Sequence, residues 1–579
     1  MAPALDNNFT GLSNPTSFDI IPPDTMGAAG PDYLVSALNS EVGVFNKAGS
    51  IISQVTLQSF WSVLGTPGNN PFDPRVLFDP HSQRFIATSA GINTDVFGNQ
   101  VLPSWLLIGV STTSNPLDNW IKTYIQADLD ADNVVRSNLA DFPGLGVDDT
   151  NIYIAANMFS ISSDIYQYSK VWAIPKAQLL GSSAPSTLTH YEFRNPTGSD
   201  SSMQPAHTFG TPGAEYIVYE GSGNLHIASV TFPGGVPTWA DLGPVSVTSF
   251  TSTSFLPGVP QLGNSNTIDS GDTRVLNGVY RNGTLWTTHH VANGGKIEVA
   301  WYGIDPGSLT VSTQGRITDP SRWFVYPSIA VNQDNDVAVG FSGSSATEYI
   351  SGYYTARKSG DTSGTMRSVS LLKSGESSYY KTLSRTDNRW GDYSATTVDP
   401  ADNVSFWTLQ EYAKTPVSGI SKWGTWWGRF RPVSINAPTG LTATTFSSTR
   451  IDLSWTDASN NESGFKVERR LTPAGDYSLI ATLGADNTSY IDNTGLSAGS
   501  TYSYRVQAYI TGTGGSYSDE ATATTSAAAG GGGGGGGGCA IYSRKTASED
   551  PSPLGTILPL LSPLGFLAWR RKTARKGTD

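Results

Sequence analysis

Between residues 27 and 412 the apolar and polar positions fall into a recurring pattern: a short apolar run, a turn of Asp, Asn or Gly, and a second apolar run ending in small or aromatic residues. It is clearest in Tyr326-Pro-Ser-Ile-Ala-Val-Asn-Gln-Asp-Asn-Asp-Val-Ala-Val-Gly-Phe-Ser342 and returns in Tyr393-Ser-Ala-Thr-Thr-Val-Asp-Pro-Ala-Asp-Asn-Val-Ser-Phe-Trp-Thr408. Related copies start at Gly144 and Arg75, and weaker ones near Gly27, His207 and Arg274. The copies recur at intervals of about 50 to 70 residues. Each reads as a strand, a tight turn and a strand, because Asp and Asn bond their own backbone and tolerate the left-handed region that a short hairpin needs. Room for two further strands follows each hairpin, as at residues 348–357 and 368–372.

Four strands per unit and seven units is the arithmetic of a β-propeller. The seventh unit, with strands near 394–398, 404–412 and 424–433, is one strand short. Residues 17–21, ahead of Pro22-Pro23, have strand character and are expected to supply the missing outer strand. The fold class expected is all-β, with a seven-bladed β-propeller over residues 16–434 behind an N-terminal extension at 1–15.

From Ala437 the pattern becomes that of a sandwich. Ile451-Asp-Leu-Ser-Trp455 is followed by Lys466-Val-Glu-Arg-Arg470 and by Leu496-Ser-Ala-Gly-Ser-Thr-Tyr502-Ser-Tyr-Arg-Val-Gln-Ala-Tyr509. This resembles a fibronectin type III domain, over residues 435–527. Trp455 matches that family's core tryptophan, and Tyr502 stands where its tyrosine corner bonds back to the turn. Such a module acts as a spacer or as a binding unit.

Nine glycines, residues 530–538, form a flexible tether, part of a linker at 528–553 that carries Cys539. An apolar stretch at 554–569 and a basic end from Arg570 complete the 554–579 segment. As a helix the apolar stretch spans about 24 Å, short of a bilayer core, and Pro559 and Pro563 interrupt it. The order of glycines, cysteine, hydrophobic helix and arginines resembles the C-terminal sorting tails that rhombosortase- or exosortase-type membrane proteases process in Gram-negative bacteria. The resemblance implies a transient membrane contact through the tail, a sorting protease as partner, and cleavage or anchoring near Cys539. It also implies export to the cell surface, the outer membrane or the medium, although Met1-Ala-Pro-Ala-Leu-Asp-Asn-Asn-Phe9 shows neither the basic nor the apolar region of a signal peptide.

Composition supports this picture. Only 15% of the 579 residues are charged, and there are 62 Gly, 34 Pro, 15 Trp, 25 Tyr and 22 Phe, a usage that favours strands and turns and excludes an all-α fold. The net charge is −12, and the last ten residues contribute +4, leaving −16 on the rest. Nucleic acid is therefore excluded as a natural partner. A single cysteine, Cys539, excludes any disulfide framework or multi-cysteine zinc site within the chain.

Candidate chemistry is sparse. Pro22-Pro-Asp-Thr-Met-Gly-Ala-Ala-Gly-Pro-Asp32 and Arg389-Trp-Gly-Asp-Tyr-Ser394 resemble motifs of uncharacterised secreted bacterial propeller proteins, which implies a fold and a location but assigns no reaction. A sialidase would need an Arg-Ile-Pro motif and Ser-x-Asp-x-Gly-x-x-Trp turns, and a serine hydrolase a Gly-x-Ser-x-Gly elbow; none is present. His289 and His290, adjacent in a strand, point to opposite faces and cannot share a site. Asp128, Asp130 and Asp132 have a spacing that can wrap Ca²⁺, but Asn133 stands where the loop needs glycine. A solvated acidic loop is the alternative, so no cofactor beyond a possible Ca²⁺ is expected.

The positional lead is stronger. In a propeller the residues just before each innermost strand converge on one mouth of the channel. Here they are Asp73 and Arg75, Asp141, Asp272 and Arg274, Arg322 and Tyr326, and Trp390, Asp392 and Tyr393, with Asp24, Phe72, Phe142, Gln204 and His207 beside them. Aromatic faces beside carboxylates and guanidiniums suit polar ligands such as glycans or peptide segments. Alternatively these residues cap strands and bond neighbouring blades to one another. The function expected is binding or adhesion to an extracellular glycan or protein, with a glycoside hydrolase acting at the same mouth as the alternative.

Overall fold

The structure is a computed structural model that describes residues 3–15, 20–95, 97, 99–130, 134–194, 201–221, 223–382, 388–432, 435–459, 462–473, 475–510 and 513–528. Cys539, the glycine run and the 554–579 segment lie outside the described residues, as does Asp132. The chain is all-β. Among the described residues the one α-helix is the five-residue Leu57–Trp61, and no helix is long and apolar enough to cross a membrane.

Residues 3–432 build seven four-stranded antiparallel meanders. Their first strands are β2 (Met26–Ala29), β3 (Pro71–Asp79), β4 (Asn138–Val147), β5 (Ser201–Thr208), β6 (Asn277–Arg281), β7 (Trp323–Val331) and β8 (Ala395–Val398). The seventh meander continues into β9 (Phe406–Val417) and β10 (Ile420–Phe430). Parallel pairing of β4 with β5 and of β5 with β6 joins three meanders into one twelve-stranded sheet. Among the described residues no sheet closes on itself. The first strands are nevertheless neighbours in succession, and β8 neighbours β2. Residues of all seven line one small cavity of about 80 Å³.

The strand that completes the seventh meander is β1 (Leu5–Ser13), antiparallel to β10 from Leu5↔Phe430 to Ser13↔Gly424. This corrects the expectation that residues 17–21 do so: 17–19 lie outside the described residues, and Ile20 and Ile21 are in no strand. The segment expected to be an extension is the strand. Its alternation of half-buried and exposed positions is that of an edge strand with one face packed.

Local chemistry explains the repeat. Asp79 ends a first strand, and Asp148, Asn332 and Asp399 each directly follow one; all four accept the amide two residues on, from His81 (3.0 Å), Thr150 (2.8 Å), Asp334 (2.9 Å) and Ala401 (3.0 Å). In three of these turns a later residue takes the left-handed region, Gln83 (φ 56°), Asn335 (φ 62°) and Asn403 (φ 56°). The side chain thus replaces a backbone partner and lets the hairpin reverse. Apolar clusters then fill the space between successive sheets. Leu77, Ile86 and Ile108 of the second meander pack with Ile152, Ile154 and Trp172 of the third. Inner strands buried on both faces read as continuous apolar runs, which is why alternation is weak in them.

Residues 435–528 form a separate sandwich. One sheet holds Thr439–Ser447, Arg450–Thr456 and Ser489–Asp492; the other holds Ser478–Gly484, Gly464–Leu471, Thr501–Ile510, Thr513–Tyr517 and Ala521–Thr524. Trp455, Phe465 and Tyr504 are buried between them. The Tyr502 hydroxyl accepts the Ser497 amide at 2.9 Å, the bond expected of a tyrosine corner.

Candidate functional site

Several of the first strands begin irregularly. Bulges lie between Phe72 and Arg75, Asp141 and Gly144, and Val325 and Ser328. The residue inside each has a positive φ: Asp73 (49°), Phe142 (52°) and Tyr326 (51°), joined by Asp24 (50°) ahead of β2. Each of the three bulge residues precedes a proline. A left-handed Phe or Tyr is strained and persists only where its surroundings hold it, as they do here.

The bulges deliver a chain of carboxylates. Asp24 accepts Asn39 Nδ2 at 2.6 Å and the Asp392 amide at 3.1 Å. Asn39 Oδ1 in turn accepts the Asp73 amide at 2.7 Å, and Asp73 Oδ2 accepts the Phe142 amide at 3.1 Å and the Tyr393 hydroxyl at 3.3 Å. Burial, and then the charges of Asp24 and Asp141, push the Asp73 carboxyl well above the usual carboxylate range. Asp141 is raised chiefly by burial, against the pull of Arg274. Burial and the Asp24 charge push Asp392 up to about 7 although Arg389 opposes them. Glu411 of β9 accepts the Gly391 amide at 3.0 Å through Oε2; its Oε1 is buried without a hydrogen-bond partner, and burial raises its carboxyl well above the ordinary value. A side chain at Gly391 would meet that carboxylate, its Cβ lying 2.5 Å from Oε2, so the glycine of Arg389-Trp-Gly-Asp is required by close approach.

Arg75 links several meanders. Its Nε donates to Pro143 O at 2.7 Å, its Nη1 reaches Leu276 O at 3.5 Å, and its guanidinium lies 3.6 Å from the centre of the Tyr393 ring. It therefore ties the second meander to the third, fifth and seventh. Burial lowers its pKa, with the nearby Tyr393 and Asp73 acting in the opposite sense.

The ten residues expected at the mouth divide by exposure. Arg75, Tyr326, Trp390 and Tyr393 are buried, at 3%, 3%, 0% and 2%. Tyr326 donates its hydroxyl to Asp269 O at 3.0 Å, and Trp390 its indole to Ser342 Oγ at 3.1 Å, so each ties a connecting segment to a sheet. Asp73, Asp141, Asp272, Arg274, Arg322 and Asp392 stay partly exposed. Arg274 forks onto Asp272 at 2.7 and 2.6 Å, and this pairing outweighs burial and holds Asp272 down to about 2. Arg322 bonds Glu348 at 2.7 Å and Asp319 at 2.9 Å. Sequence reasoning missed Glu411, Arg389, Asp269 and Asn39. A charged Glu inside the apolar run of β9 was the available signal for the first.

The segment between the fourth and fifth meanders adds an unforeseen feature. It carries a two-stranded hairpin, Val259–Gln261 with Asn264–Ile268, whose Val259 and Ile268 are buried in the apolar cluster that holds Tyr326, Trp390 and Tyr393. Gln261 fastens it, donating to Tyr379 O and accepting the Tyr379 amide, both at 2.7 Å. Two open cavities flank this segment. One of about 480 Å³ is walled by Ser254, Ser265, Asn266, Thr267, Asp269 and Asn388, among others. The other, about 310 Å³, is walled by Glu220, Phe250, Ser252, Asp272 and Arg274.

The remaining candidates make bonds within the fold. His289 bonds Thr273 O (2.6 Å) and the Tyr302 hydroxyl (3.1 Å), and His290 Nδ1 accepts the Tyr326 amide (3.2 Å); burial lowers the two to about 3 and about 4, so both are neutral. Asp128 is buried and accepts the Ser104 amide at 2.9 Å, while Asp130 faces Arg136 and Lys170. Among the described residues the one grouping with metal-ligand proximity is Asp457, Glu462 and Asp486 in the sandwich.

Comparison with known proteins bears on the sandwich. The family model for the fibronectin type III domain matches residues 436–524. A solved Fn3-like protein from Clostridium thermocellum is 33% identical, covering 16% of this chain and 92% of its own, with a TM-score of 0.14. The fibronectin type III domain of human fibronectin type III domain containing protein 3 is 17% identical over 18% of this chain and 96% of its own, with a TM-score of 0.15. A protein of unknown function from Dyadobacter fermentans covers 62% of this chain and 94% of its own at 12% identity and a TM-score of 0.37. No curated protein matches the chain.

Proposed function

For a chain that belongs, through residues 436–524, to the fibronectin type III family, we propose an exported binding protein whose seven meanders are the blades of a β-propeller. A fibronectin type III domain fits an extracellular binding or adhesion role. The propeller reading is supported by the seven four-stranded meanders, by the succession of neighbouring first strands that returns from β8 to β2, and by the cavity they share. On this reading the strand starts form the mouth, and the head binds a glycan or protein there. The observation that carries it is that Asp73, Asp141, Asp272 and Asp392, at or just ahead of the starts of four meanders, act on one another's neighbourhood, with the side chains of Asp272 and Asp392 40% and 25% exposed. The sandwich is the stalk, the glycines the tether, and the tail beyond Cys539 a processed sorting signal.

A glycan and peptide array probed with the full chain and with Asp392→Ala tests the mouth. Asp392 is partly exposed and its side chain bonds Arg389, so its loss removes a ligand contact while leaving the sheets intact. Binding by the wild type that falls at least ten-fold in the variant is the expected result. Equal binding by both would remove the mouth from the function.

A further inference from the structure

Each of the seven meanders has an outer strand that pairs on one side only, and six of these strands carry charge. Lys122 lies in Trp120–Gln126, Glu192 and Arg194 in Tyr191–Arg194, and Asp241 with Pro244 in Thr238–Val245. Arg316 lies in Thr310–Ile317, Lys373 in Ser370–Lys373 and Asp6 in β1. The free N–H and C=O groups of an outer strand are a template for pairing with another chain, and charge or proline on the strand opposes it.

The first meander departs from this. Its outer strand, Ile51-Ile-Ser-Gln-Val-Thr56, has neither charge nor proline and pairs with Glu41–Asn46 alone. Five of its six residues are exposed, among them Ile51 at 46%, Ile52 at 47% and Val55 at 40%. Gln54, Val55 and Thr56 are exposed in succession, and successive residues of a strand point to opposite faces, so neither face is covered. The bulge in its pairing falls at Ile52 and leaves Ser53–Thr56 regular. Three branched apolar side chains on an open edge favour a further strand beside them, because pairing removes their surface from water.

The absence of charge identifies the partner. An uncharged strand can lie antiparallel beside its own copy in any register without setting like charges opposite one another, a freedom that the charged outer strands lack. A two-fold axis across the edge repeats the same contact on both copies and closes the assembly at two. The contact is short, well below the roughly 800 Å² per partner of a standard interface, so the pairing is reversible.

We propose that two copies of this chain associate through Ile51–Thr56, joining their first meanders edge to edge into one eight-stranded antiparallel sheet. The apolar side chains of each copy then cover those of the other.

Sedimentation velocity of the full chain between about 1 and about 200 µM tests this. The sedimentation coefficient rises with concentration from the monomer value towards that of a dimer. Val55→Lys, an exposed change that brings like charges to the edge from both copies, weakens association at least about ten-fold. Val55→Thr, uncharged and β-branched, leaves it within about two-fold. Hydrogen exchange on the unaltered chain locates the contact: outward amides of Ser53–Thr56 exchange more slowly at the high concentration than at the low one. A chain that stays monomeric over the whole range would overturn the proposal. A dimer that survives Val55→Lys, or that forms without slowing exchange in Ser53–Thr56, would place the contact elsewhere, as on the sandwich strand Ser478–Gly484, and would overturn it equally.

Discussion

Arg75 shows how one residue can matter more to the fold than to the ligand it seemed placed to meet. Residue type and position put it among the candidates for ligand binding, and its 3% exposure gives it to the core. It supplies a charged donor to Pro143 O and a cation to the Tyr393 ring from separate meanders. Hydrogen bonds to charged groups contribute about 1.5–3 kcal/mol each, and a desolvated cation–π contact about 2. Arg75→Ala is therefore expected to lower the stability of the head by at least about 3 kcal/mol in denaturant unfolding. Arg75→Lys rescues little of it, since an ammonium cannot span the same partners. The carboxyls beside it carry a pH signature. Asp392 holds its proton up to about 7 in the folded head against about 3.9 when unfolded. The folded state thus binds the proton more tightly, and this contribution is complete below pH about 4 and lost as pH rises towards 7. Asp73 and Glu411, also raised, act with the same sign. The head transition should melt higher at pH 5 than at pH 8, and Asp392→Asn should flatten the difference; a melting temperature that rises between those values would contradict the assignment.

At the scale of elements, the hairpin turns and β1 differ in how far ahead they could be seen. The Asp and Asn turns were legible because their chemistry is local: an acceptor and the amide it bonds stand two residues apart. The partner of β10 was not, since several N-terminal stretches have strand character and only packing chooses among them. Leu5–Ser13 prevails with Phe9, whose ring lies 5.9 Å from Trp407 and 6.0 Å from Phe45, and with Leu12, buried among Leu409, Trp423 and Trp427. Deleting residues 3–13 should leave β10 as an open edge with Trp427 uncovered, and the expected outcome is a head that aggregates or loses its cooperative transition. A truncated chain that melts like the full one would show that β1 contributes little.

On the scale of the whole molecule, an acidic body is followed by a glycine run, a lone cysteine and a basic end, an order that on the proposed reading serves sorting. Expression in a Gram-negative host with a rhombosortase- or exosortase-type protease should give a mature chain that ends near Cys539 by intact mass, and Cys539→Ala should block that trimming. Recovery of the full-length chain in both cases would rule out the sorting tail.

The repeat, the turn chemistry, the sandwich strands with Trp455 and Tyr502, and the order of segments in the tail were legible in the sequence, because each is carried by short contiguous stretches in which periodicity and side-chain-to-backbone bonds act. Tertiary structure alone decided which of the ten candidate residues are buried and which are partly exposed. Asp392 bonds Asp24 across 368 positions, and Tyr393 meets Asp73 across 320. It also decided that the hairpin at 259–268 walls a cavity. Exposure is set by what packs against a residue from distant parts of the chain, and no local pattern encodes that.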